Sequence, residues 1–313
     1  MVVRSLLDLI GNTPLVELKN MSPKARVRIF AKLEGQNPTG SLKDRIAKNM
    51  VEKAEREGKL GPDVTILEPT SGNTGISLAF VAGMKGYKVK VVMPDNVSPE
   101  RTQLLEAYGA EVVYSEGRNG TNGSILVAQE MMERSSNGNY FMPYQYGNDA
   151  NPGAHYETTG AEIIRDLPQV DVFVAGLGTG GTLMGVGRRL KEHRSDIKIV
   201  AVAPEPDDAI QGLRSLEEGF IPPILDLSLL DSRIMAKSSD AFRGTRELLR
   251  QEGIFAGISS GSVIWGAMKT AEKMDEGNVV CFLADGGWKY LSTGLWTKDP
   301  EEMERESRGK IWW

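Results

Sequence analysis

Short apolar runs alternate along the chain with segments in which apolar residues recur every three or four positions. In segment 43–58, Ile46, Met50 and Ala54 have the spacing of one helix face. Segment 88–93 is rich in valine and is followed by a proline, which is typical of a buried strand. The pattern predicts strands at 28–34, 65–69, 88–93, 111–115, 140–144, 171–176, 198–203 and 278–284. It predicts helices at 43–58, 74–86, 98–108, 122–135, 153–165, 181–193, 241–252 and 260–274.

This alternation predicts an α/β fold with mostly parallel sheets and right-handed crossover connections. A length of 313 residues suits two domains or one large α/β domain. Segment 205–239 departs from the alternation because it is proline-rich and weakly periodic, and we expect an ordered excursion over one face. The chain becomes charged after Pro300 and finishes with Trp312-Trp313.

Composition narrows the possible functions. The formal net charge is −5 and the basic residues are scattered among acidic ones, so nucleic acid is not expected as the main ligand. No apolar run approaches the roughly 18 residues that a membrane span requires, which argues against membrane insertion. Segment 1–11 lacks the basic region and long apolar core of a signal peptide. We therefore expect a cytoplasmic protein.

Cysteine and histidine are too scarce for several common chemistries. Cys281 is the single cysteine, so neither an intrachain disulfide nor a multi-cysteine zinc site is expected, and its apolar setting predicts a buried small hydrophobe. His155 and His193 are the two histidines, and neither stands in a nucleophile motif. His193 lies near a predicted helix end, where a solvated position is expected. Hydrolase chemistry is disfavoured, and no metal site is predicted.

The loop Thr70-Ser71-Gly72-Asn73-Thr74-Gly75 follows a predicted strand and opens a helix. Ligands of open α/β sheets bind at the carboxyl ends of strands. The N–H groups and hydroxyls of such a loop suit a small anion, for example a substrate carboxylate. Taken alone, the loop is equally well explained as a Ser/Thr-rich helix cap without a ligand.

A second loop, Gly176-Leu177-Gly178-Thr179-Gly180-Gly181-Thr182, also lies between a strand and a helix and is typical of a phosphate cradle. It matches G-x-G-x-x-G, and Glu205 ends the next predicted strand, so a dinucleotide site of an NAD(P)-binding oxidoreductase is the alternative. The position of the loop in the middle of the chain argues against that alternative.

Lys43 follows a Pro/Gly turn in Asn37-Pro38-Thr39-Gly40-Ser41-Leu42-Lys43 and begins a predicted helix. A lone lysine at such a place is usually solvated. In combination with the two loops, however, it completes what an enzyme needs to hold a phosphorylated aldehyde cofactor. The lysine amine forms a Schiff base, and backbone N–H groups hold the phosphate.

These motifs resemble those of the cysteine synthase family, within the fold-type II, tryptophan synthase β-like, pyridoxal-phosphate (PLP) enzymes. The resemblance extends from Gly11-Asn12-Thr13-Pro14-Leu15 to Tyr290-Leu291-Ser292-Thr293. It implies two twisted α/β domains with the active site between them. The small mobile domain would be 44–147, and the large cofactor-binding domain would combine 1–43 with 148–313. The resemblance also implies a homodimer.

The resemblance assigns roles to individual residues. Lys43 would form the Schiff base with pyridoxal 5′-phosphate and, once displaced by substrate, would act as general base. Asn73 would contact the ring oxygen, and Ser259 the pyridine nitrogen, although capping a helix is the alternative for Ser259 and Ser260. The phosphate would be held by Gly178, Thr179, Gly180, Gly181 and Thr182. The substrate carboxylate would be held by Thr70, Ser71, Gly72, Thr74 and Gln145.

A neutral serine beside the pyridine nitrogen makes the ring a weaker electron sink than a carboxylate would. Elimination of a β leaving group is then favoured over transamination. The implied reaction is elimination from an activated L-serine to an aminoacrylate, followed by sulfur addition to give L-cysteine.

Arg214, in Gly212-Leu213-Arg214-Ser215-Leu216, departs from the common O-acetylserine-dependent form. It is similar to the O-phosphoserine sulfhydrylase subgroup, in which an arginine here meets the leaving phosphate; a guanidinium suits a phosphoryl dianion. The segment 284–289 also resembles that subgroup, which can use a thiocarboxylated sulfur-carrier protein instead of sulfide. A solvated loop arginine is the alternative for Arg214. Trp312-Trp313 is either a cover for the cleft or a frayed tail.

The leading hypothesis is therefore a PLP-dependent cysteine synthase that favours O-phospho-L-serine. The alternatives are an O-acetylserine-dependent cysteine synthase using sulfide, a cystathionine β-synthase-type β-replacement, and an NAD(P)-binding oxidoreductase. A catalytically idle regulatory member of the same fold is a further possibility.

Overall fold

A computed structural model describes residues 2–70, 72–135 and 139–298. Its strands are β1 (Leu15–Glu17), β2 (Val27–Leu33), β3 (Thr65–Pro69), β4 (Lys88–Pro94), β5 (Glu111–Ser115), β6 (Tyr140–Phe141), β7 (Val172–Gly176), β8 (Lys198–Pro204), β9 (Ser232–Ala236) and β10 (Gly277–Leu283). Its α-helices are α1 (Lys43–Arg56), α2 (Asn73–Met84), α3 (Pro99–Ala107), α4 (Gly120–Arg134), α5 (Ala150–Ala154), α6 (Ala161–Asp166), α7 (Gly181–His193), α8 (Ser238–Glu252) and α9 (Ile258–Ala271).

The strands form two sheets. One has six strands in the order β1-β2-β10-β7-β8-β9, and the other has four in the order β5-β4-β3-β6. β1 pairs antiparallel with β2, whereas every other pair in the described residues is parallel. The predicted α/β fold with mostly parallel sheets is confirmed.

Burial explains why the central strands have continuous apolar sequences. Val172–Ala175 of β7 are buried, as are residues 199–204 of β8, because helices cover both faces of a parallel sheet. Cys281 of β10 is buried and unbridged, as its apolar setting predicted.

Helix α1 buries the face that its periodicity predicted. Ile46 and Met50 are fully buried and Ala54 is 2% exposed. The helix packs against α2 on one side and α5 on another. Lys43, the first residue of α1, therefore lies at the N-terminus of a helix that is held by packing on two sides.

Two strands lie outside the predicted set. The antiparallel β1 has only three residues, and β9, an edge strand within 205–239, has a half-exposed pattern. Short or half-exposed edge strands carry a weak apolar signal. The rest of 205–239 contains short 3₁₀ turns, so the segment is an ordered excursion that ends in a strand.

The predicted strand at 140–144 and the predicted helix at 153–165 also differ from the structure. β6 ends at Phe141, before Pro143, which has no N–H for a ladder, and Tyr144, which has φ +52°. Helical backbone runs from Ala150 to Asp166 but contains a π-helical turn at His155–Gly160. Such turns occur often at functional sites.

Within the described residues, no helix combines the length and apolarity needed to cross a bilayer. Trp312 and Trp313 lie outside the described residues.

Candidate active site

The three predicted motifs meet in one pocket. It lies between the loop after β3, which belongs to the four-stranded sheet, and the loop after β7, which belongs to the six-stranded sheet. The predicted site residues that line it are Lys43, Thr70, Gly72, Asn73, Thr74, Gln145, Gly178, Thr179, Gly180, Gly181, Thr182, Arg214 and Ser259. Ser71 lies outside the described residues.

The amine of Lys43 faces this pocket and donates to Gln145 Oε1 at 3.3 Å. Burial lowers its pKa to about 8, although the carboxylates of Glu68 and Asp285 act in the opposite direction. A substantial fraction of the amine is therefore neutral near physiological pH, as a nucleophilic lysine requires. Lys43 is half-buried and its amine is hydrogen-bonded within the pocket, so it is not the freely solvated lysine of the alternative interpretation.

The loop before α2 supplies no side-chain cap to that helix among the described residues. The N-cap is Gly72, and among the described residues no side chain makes a capping hydrogen bond to the first turn. A Cβ at Gly72 would lie 2.8 Å from Arg101 Nε, so the close approach of this arginine requires glycine. Thr74 Oγ1 donates to Gln145 Oε1 at 2.8 Å, which ties the loop to the residue that also meets Lys43.

Gln145 is held in place by a buried carboxylate that sequence reasoning missed. Glu68 Oε2 and Oε1 accept the backbone N–H groups of Tyr144 and Gln145 at 2.8 and 3.1 Å. Burial raises the pKa of Glu68 to about 7, although these hydrogen bonds and Lys43 act to lower it. The available signal was a single charged residue inside the apolar strand 65–69.

The glycine loop after β7 has the geometry of an anion cradle. Gly180 is the N-cap of the 13-residue helix α7 and has φ +87°, and a Cβ at Gly181 would lie only 1.9 Å from Asn151 Oδ1. Thr179 Oγ1 accepts from Asn151 Nδ2 at 3.0 Å and from the Gly181 N–H at 3.2 Å. The N–H groups and positive dipole end of α7 face the pocket, so these residues fit a phosphorylated cofactor.

His155 lies behind this cradle, a position that the sequence did not indicate. Its Nε2 is 3.2 Å from Thr182 Oγ1, and its Nδ1 is 3.0 Å from Thr159 Oγ1. Burial holds its pKa well below the ordinary value, so the imidazole is neutral. The other histidine, His193, bonds the Pro168 carbonyl at the exposed end of α7.

Ser259 presents a hydroxyl to the pocket from the first turn of α9. The N-cap of α9 is Gly257, which makes no side-chain cap, and the helix begins at Ile258. The alternative of Ser259 and Ser260 as helix caps is therefore wrong. Ser259 is 5% exposed, and its Oγ has no hydrogen-bond partner among the described residues. It can bond a ligand.

Arg214 is 5% exposed, so the alternative of a solvated arginine is wrong. Its guanidinium carbon lies 4.8 Å from the centre of the Phe220 ring and 5.4 Å from that of Tyr146. Nη1 donates to Asn122 Oδ1 at 3.4 Å. A buried cation is thus held at the pocket by aromatic and neutral polar groups.

Asn73 is bonded at both ends of its amide. Lys289 Nζ donates to its Oδ1 at 2.7 Å, and its Nδ2 donates to Asp285 Oδ2 at 2.7 Å. Segment 284–289 had suggested only a subgroup resemblance, and nothing local in the sequence links it to Asn73.

Glu205, which the dinucleotide alternative requires, does not line this pocket. Its carboxylate lies 4.0 Å from Lys237 Nζ, and both side chains are well exposed. The glycine loop is therefore not accompanied by the acidic partner of a dinucleotide site.

Comparisons with known proteins agree with this geometry. A family model described as "Pyridoxal-phosphate dependent enzyme" matches residues 6–286. The chain is 45% identical over 307 residues to a cysteine synthase of Staphylococcus aureus (strain N315), covering 95% of this chain and 98% of the relative.

Two solved structures are also similar. The cysteine synthase (OASS) from Entamoeba histolytica has a TM-score of 0.89 and 36% identity, with 98% of this chain and 96% of the other covered. O-ureido-L-serine synthase has a TM-score of 0.89 and 39% identity, with 97% and 100% covered.

Proposed function

The chain belongs to the cysteine synthase family of pyridoxal-phosphate dependent enzymes, and from that premise we propose that it takes O-phospho-L-serine as its favoured substrate. It is a PLP-dependent enzyme of L-cysteine synthesis. Bound PLP supplies an electron-withdrawing ring that stabilises negative charge at the substrate Cα. Binding of the substrate, its orientation and the transfer of its Cα proton depend on the chain's own residues.

The cofactor would be held at four places. Lys43 would bind its aldehyde covalently, and Asn73 would donate to the ring oxygen. Ser259 would bond the pyridine nitrogen, which is supported by its unpartnered hydroxyl in the pocket wall. The phosphate would be bound by Gly178, Thr179, Gly180, Gly181 and Thr182, and the start of α7 supports that role.

Lys43 would also move the proton of the substrate Cα. Its pKa of about 8 suits an amine that must accept a proton near neutral pH. Gln145 and Thr74 would hold the substrate carboxylate with Thr70 and Gly72, and we include Ser71 in this set. The contact of Gln145 with both Lys43 and Thr74 would align the amine with the Cα.

The buried guanidinium of Arg214 is the observation that carries the preference for O-phospho-L-serine. Its contacts among the described residues are two aromatic rings and an amide oxygen, and these carry no formal charge. A buried cation without a carboxylate partner attracts a dianion strongly, because the surroundings are less polarisable than water. Arg214 would therefore bind the phosphate of the substrate and stabilise it as it leaves.

The second candidate is an O-acetylserine-dependent cysteine synthase that uses sulfide, and the carboxylate loop would serve it equally well. Cystathionine β-synthase-type replacement is a weaker candidate. For the sulfur donor, we propose sulfide or a thiocarboxylated sulfur-carrier protein. We further propose a cytoplasmic homodimer.

We propose that domain 44–147 closes on domain 1–43 plus 148–313 when substrate binds, and so excludes water. Arg45, in the first turn of α1, donates to Glu34 and Glu162 at 2.7 and 2.6 Å in a buried ion-pair network. This network ties the start of α1 to the large domain. The hinge of this motion would therefore lie C-terminal to Arg45 in α1.

The proposal is tested by the visible spectrum of the purified protein after rapid mixing with each substrate. We expect the absorption band of bound PLP to change faster with O-phospho-L-serine than with O-acetyl-L-serine. An equal or faster change with O-acetyl-L-serine would favour the second candidate. Absence of any cofactor band after addition of PLP would overturn the proposed function itself.

A further inference from the structure

Four side chains form a polar cluster beside the pocket, called here the Asn73 cluster: the half-buried Asn73 and the buried Asp285, Lys289 and Tyr290. Lys289 is fully buried and Asp285 is 2% exposed. Besides the two bonds to the Asn73 amide, Tyr290 donates its hydroxyl to Asp285 Oδ2 at 2.5 Å. Asn73 and Tyr290 line the pocket, whereas Asp285 and Lys289 do not.

The two ends of the Asn73 amide therefore face opposite charges. The oxygen accepts from an ammonium, and the nitrogen donates to a carboxylate. A flipped amide would point N–H groups at the ammonium and a carbonyl oxygen at the carboxylate, which would replace two charge-assisted hydrogen bonds by two repulsive contacts. Only one orientation of the amide is thus stable. In that orientation one N–H bonds Asp285, and the second N–H is left for another acceptor.

We propose that Lys289 and Asp285 are positioning residues that lock the Asn73 amide so that its second N–H is presented to the ring oxygen of the bound cofactor. This inference rests on the proposed function, in which Asn73 contacts that oxygen. Lys289 reaches the pocket through its hydrogen bond to Asn73, because it is not part of the pocket wall. Asp285 bonds the other end of the same amide, in addition to its effect on the charge of Lys43.

The charges around Lys289 support a functional reason for its burial. Burial lowers the pKa of the Lys289 amine to about 8. The carboxylates of Asp285 and Asp44 favour the ammonium, and Arg101 disfavours it. Its direct hydrogen-bond partner among the described residues is the neutral amide of Asn73 rather than a carboxylate. Burying an ammonium against a neutral acceptor costs stability, so a merely structural role would be served better by an apolar residue.

The backbone of this segment is anchored so that Lys289 can reach Asn73. Lys289 lies in the 3₁₀ helix Gly287–Thr293, and its carbonyl accepts from Ser98 Oγ at 3.2 Å. The Gly257 N–H donates to the Asp285 carbonyl at 3.0 Å, and a Cβ at Gly257 would lie 2.1 Å from Asp285 Oδ1. The close approach of α9 to the carboxylate therefore requires glycine.

The test replaces Lys289 by methionine, which has a similar length but no charge and no donor. We follow the visible band of the holoenzyme and its rate of cofactor loss on dilution. Lys289→Met should shift the band and shorten the lifetime of bound PLP about three- to tenfold, as expected for one weakened hydrogen bond. Lys289→Arg retains the cation and should restore part of the lifetime.

Lys32→Met is the matched control, because Lys32 is equally buried and lies outside the pocket wall. Its Nζ bonds the Thr13 carbonyl at 2.6 Å and Glu162 at 2.7 Å. The control should lower thermal stability while leaving the cofactor band and lifetime unchanged. Equal changes in both variants would overturn the proposal, because they would show a general effect of lost stability.

A double-mutant cycle with Asn73→Ala decides whether Lys289 acts through Asn73. In the Asn73→Ala background, Lys289→Met should change the cofactor lifetime less than about twofold, since residues that act as a unit are not additive. Fully additive losses would overturn the inference. If Lys289→Met does not fold, the cycle is repeated with Asp285→Asn, which removes the charge at the other end of the Asn73 amide, and the same lack of additivity with Asn73→Ala is expected. A wild-type protein without a PLP band would instead mean that the proposed function fails.

Discussion

Arg214→Ala provides the sharpest test of substrate choice. The change removes a buried guanidinium whose contacts in the described part of the chain are Phe220, Tyr146 and Asn122, so it leaves no described carboxylate unpaired. A lost hydrogen bond to a charged group costs about 1.5–3 kcal/mol, which corresponds to about ten- to a hundredfold in kcat/KM. We expect this fall for O-phospho-L-serine and little change for O-acetyl-L-serine.

The assay measures kcat/KM for L-cysteine formation from each substrate at saturating sulfide. Arg214→Lys should give an intermediate loss, because an ammonium retains the charge but not the planar fork of donors. Arg26→Ala is the control; this arginine pairs with Glu276 on the surface, and its side chain is 74% exposed. It should leave both substrates unaffected. Equal losses for the two substrates in Arg214→Ala would refute a phosphate contact.

Three further predictions concern the pocket. Lys43→Ala should abolish the visible band and lower turnover at least about a hundredfold, because the Schiff-base amine and the general base are one group; a retained band would contradict this. Gly181→Ala should weaken PLP binding at least about tenfold in a fluorescence titration, since its Cβ would lie 1.9 Å from Asn151 Oδ1. Gly61→Ala, with no heavy atom within 4 Å, is the control. In the folded protein, burial raises the pKa of Glu68 from 4.5 to about 7, so the folded state holds a proton that the unfolded state has lost in this range. The thermal stability of the wild type, measured relative to Glu68→Gln, should therefore fall as pH rises from about 4.5 to about 7. Stability curves that stay parallel over this range would contradict the prediction.

Local sequence was sufficient for the parts of the site that lie within single loops. Gly178–Thr182 follows a strand and starts a helix, and so does the loop that contains Asn73. The backbone requirements of such loops are local, because left-handed residues and close approaches need glycine wherever they occur. The same holds for α1, whose 3.6-residue periodicity placed Lys43 at a helix start.

The partners of these loops could not be predicted in the same way. Glu68 bonds the Tyr144–Gln145 turn across 76 and 77 positions of sequence, and Lys289 bonds Asn73 across 216. These residues are brought together by the order of the strands in the sheets. β6, which precedes Tyr144, lies beside β3, which contains Glu68, and β10, which precedes Lys289, lies between β2 and β7. Apolar periodicity identifies strands but not their neighbours. The loop after Glu68 and the segment that contains Lys289 were therefore noticed, but the contacts that these two side chains make were not.

By itself, the sequence determined the alternation of strands and helices, and it predicted Lys43 as the cofactor lysine and the two loops as anion-binding. Each of these patterns depends on residues that are close together in the chain. The tertiary structure alone decided that Arg214 is buried, that Glu68 holds Gln145 and that charges orient Asn73. Burial and pKa depend on which distant segments exclude water from a group, and that is a property of the packed sheets rather than of any local stretch.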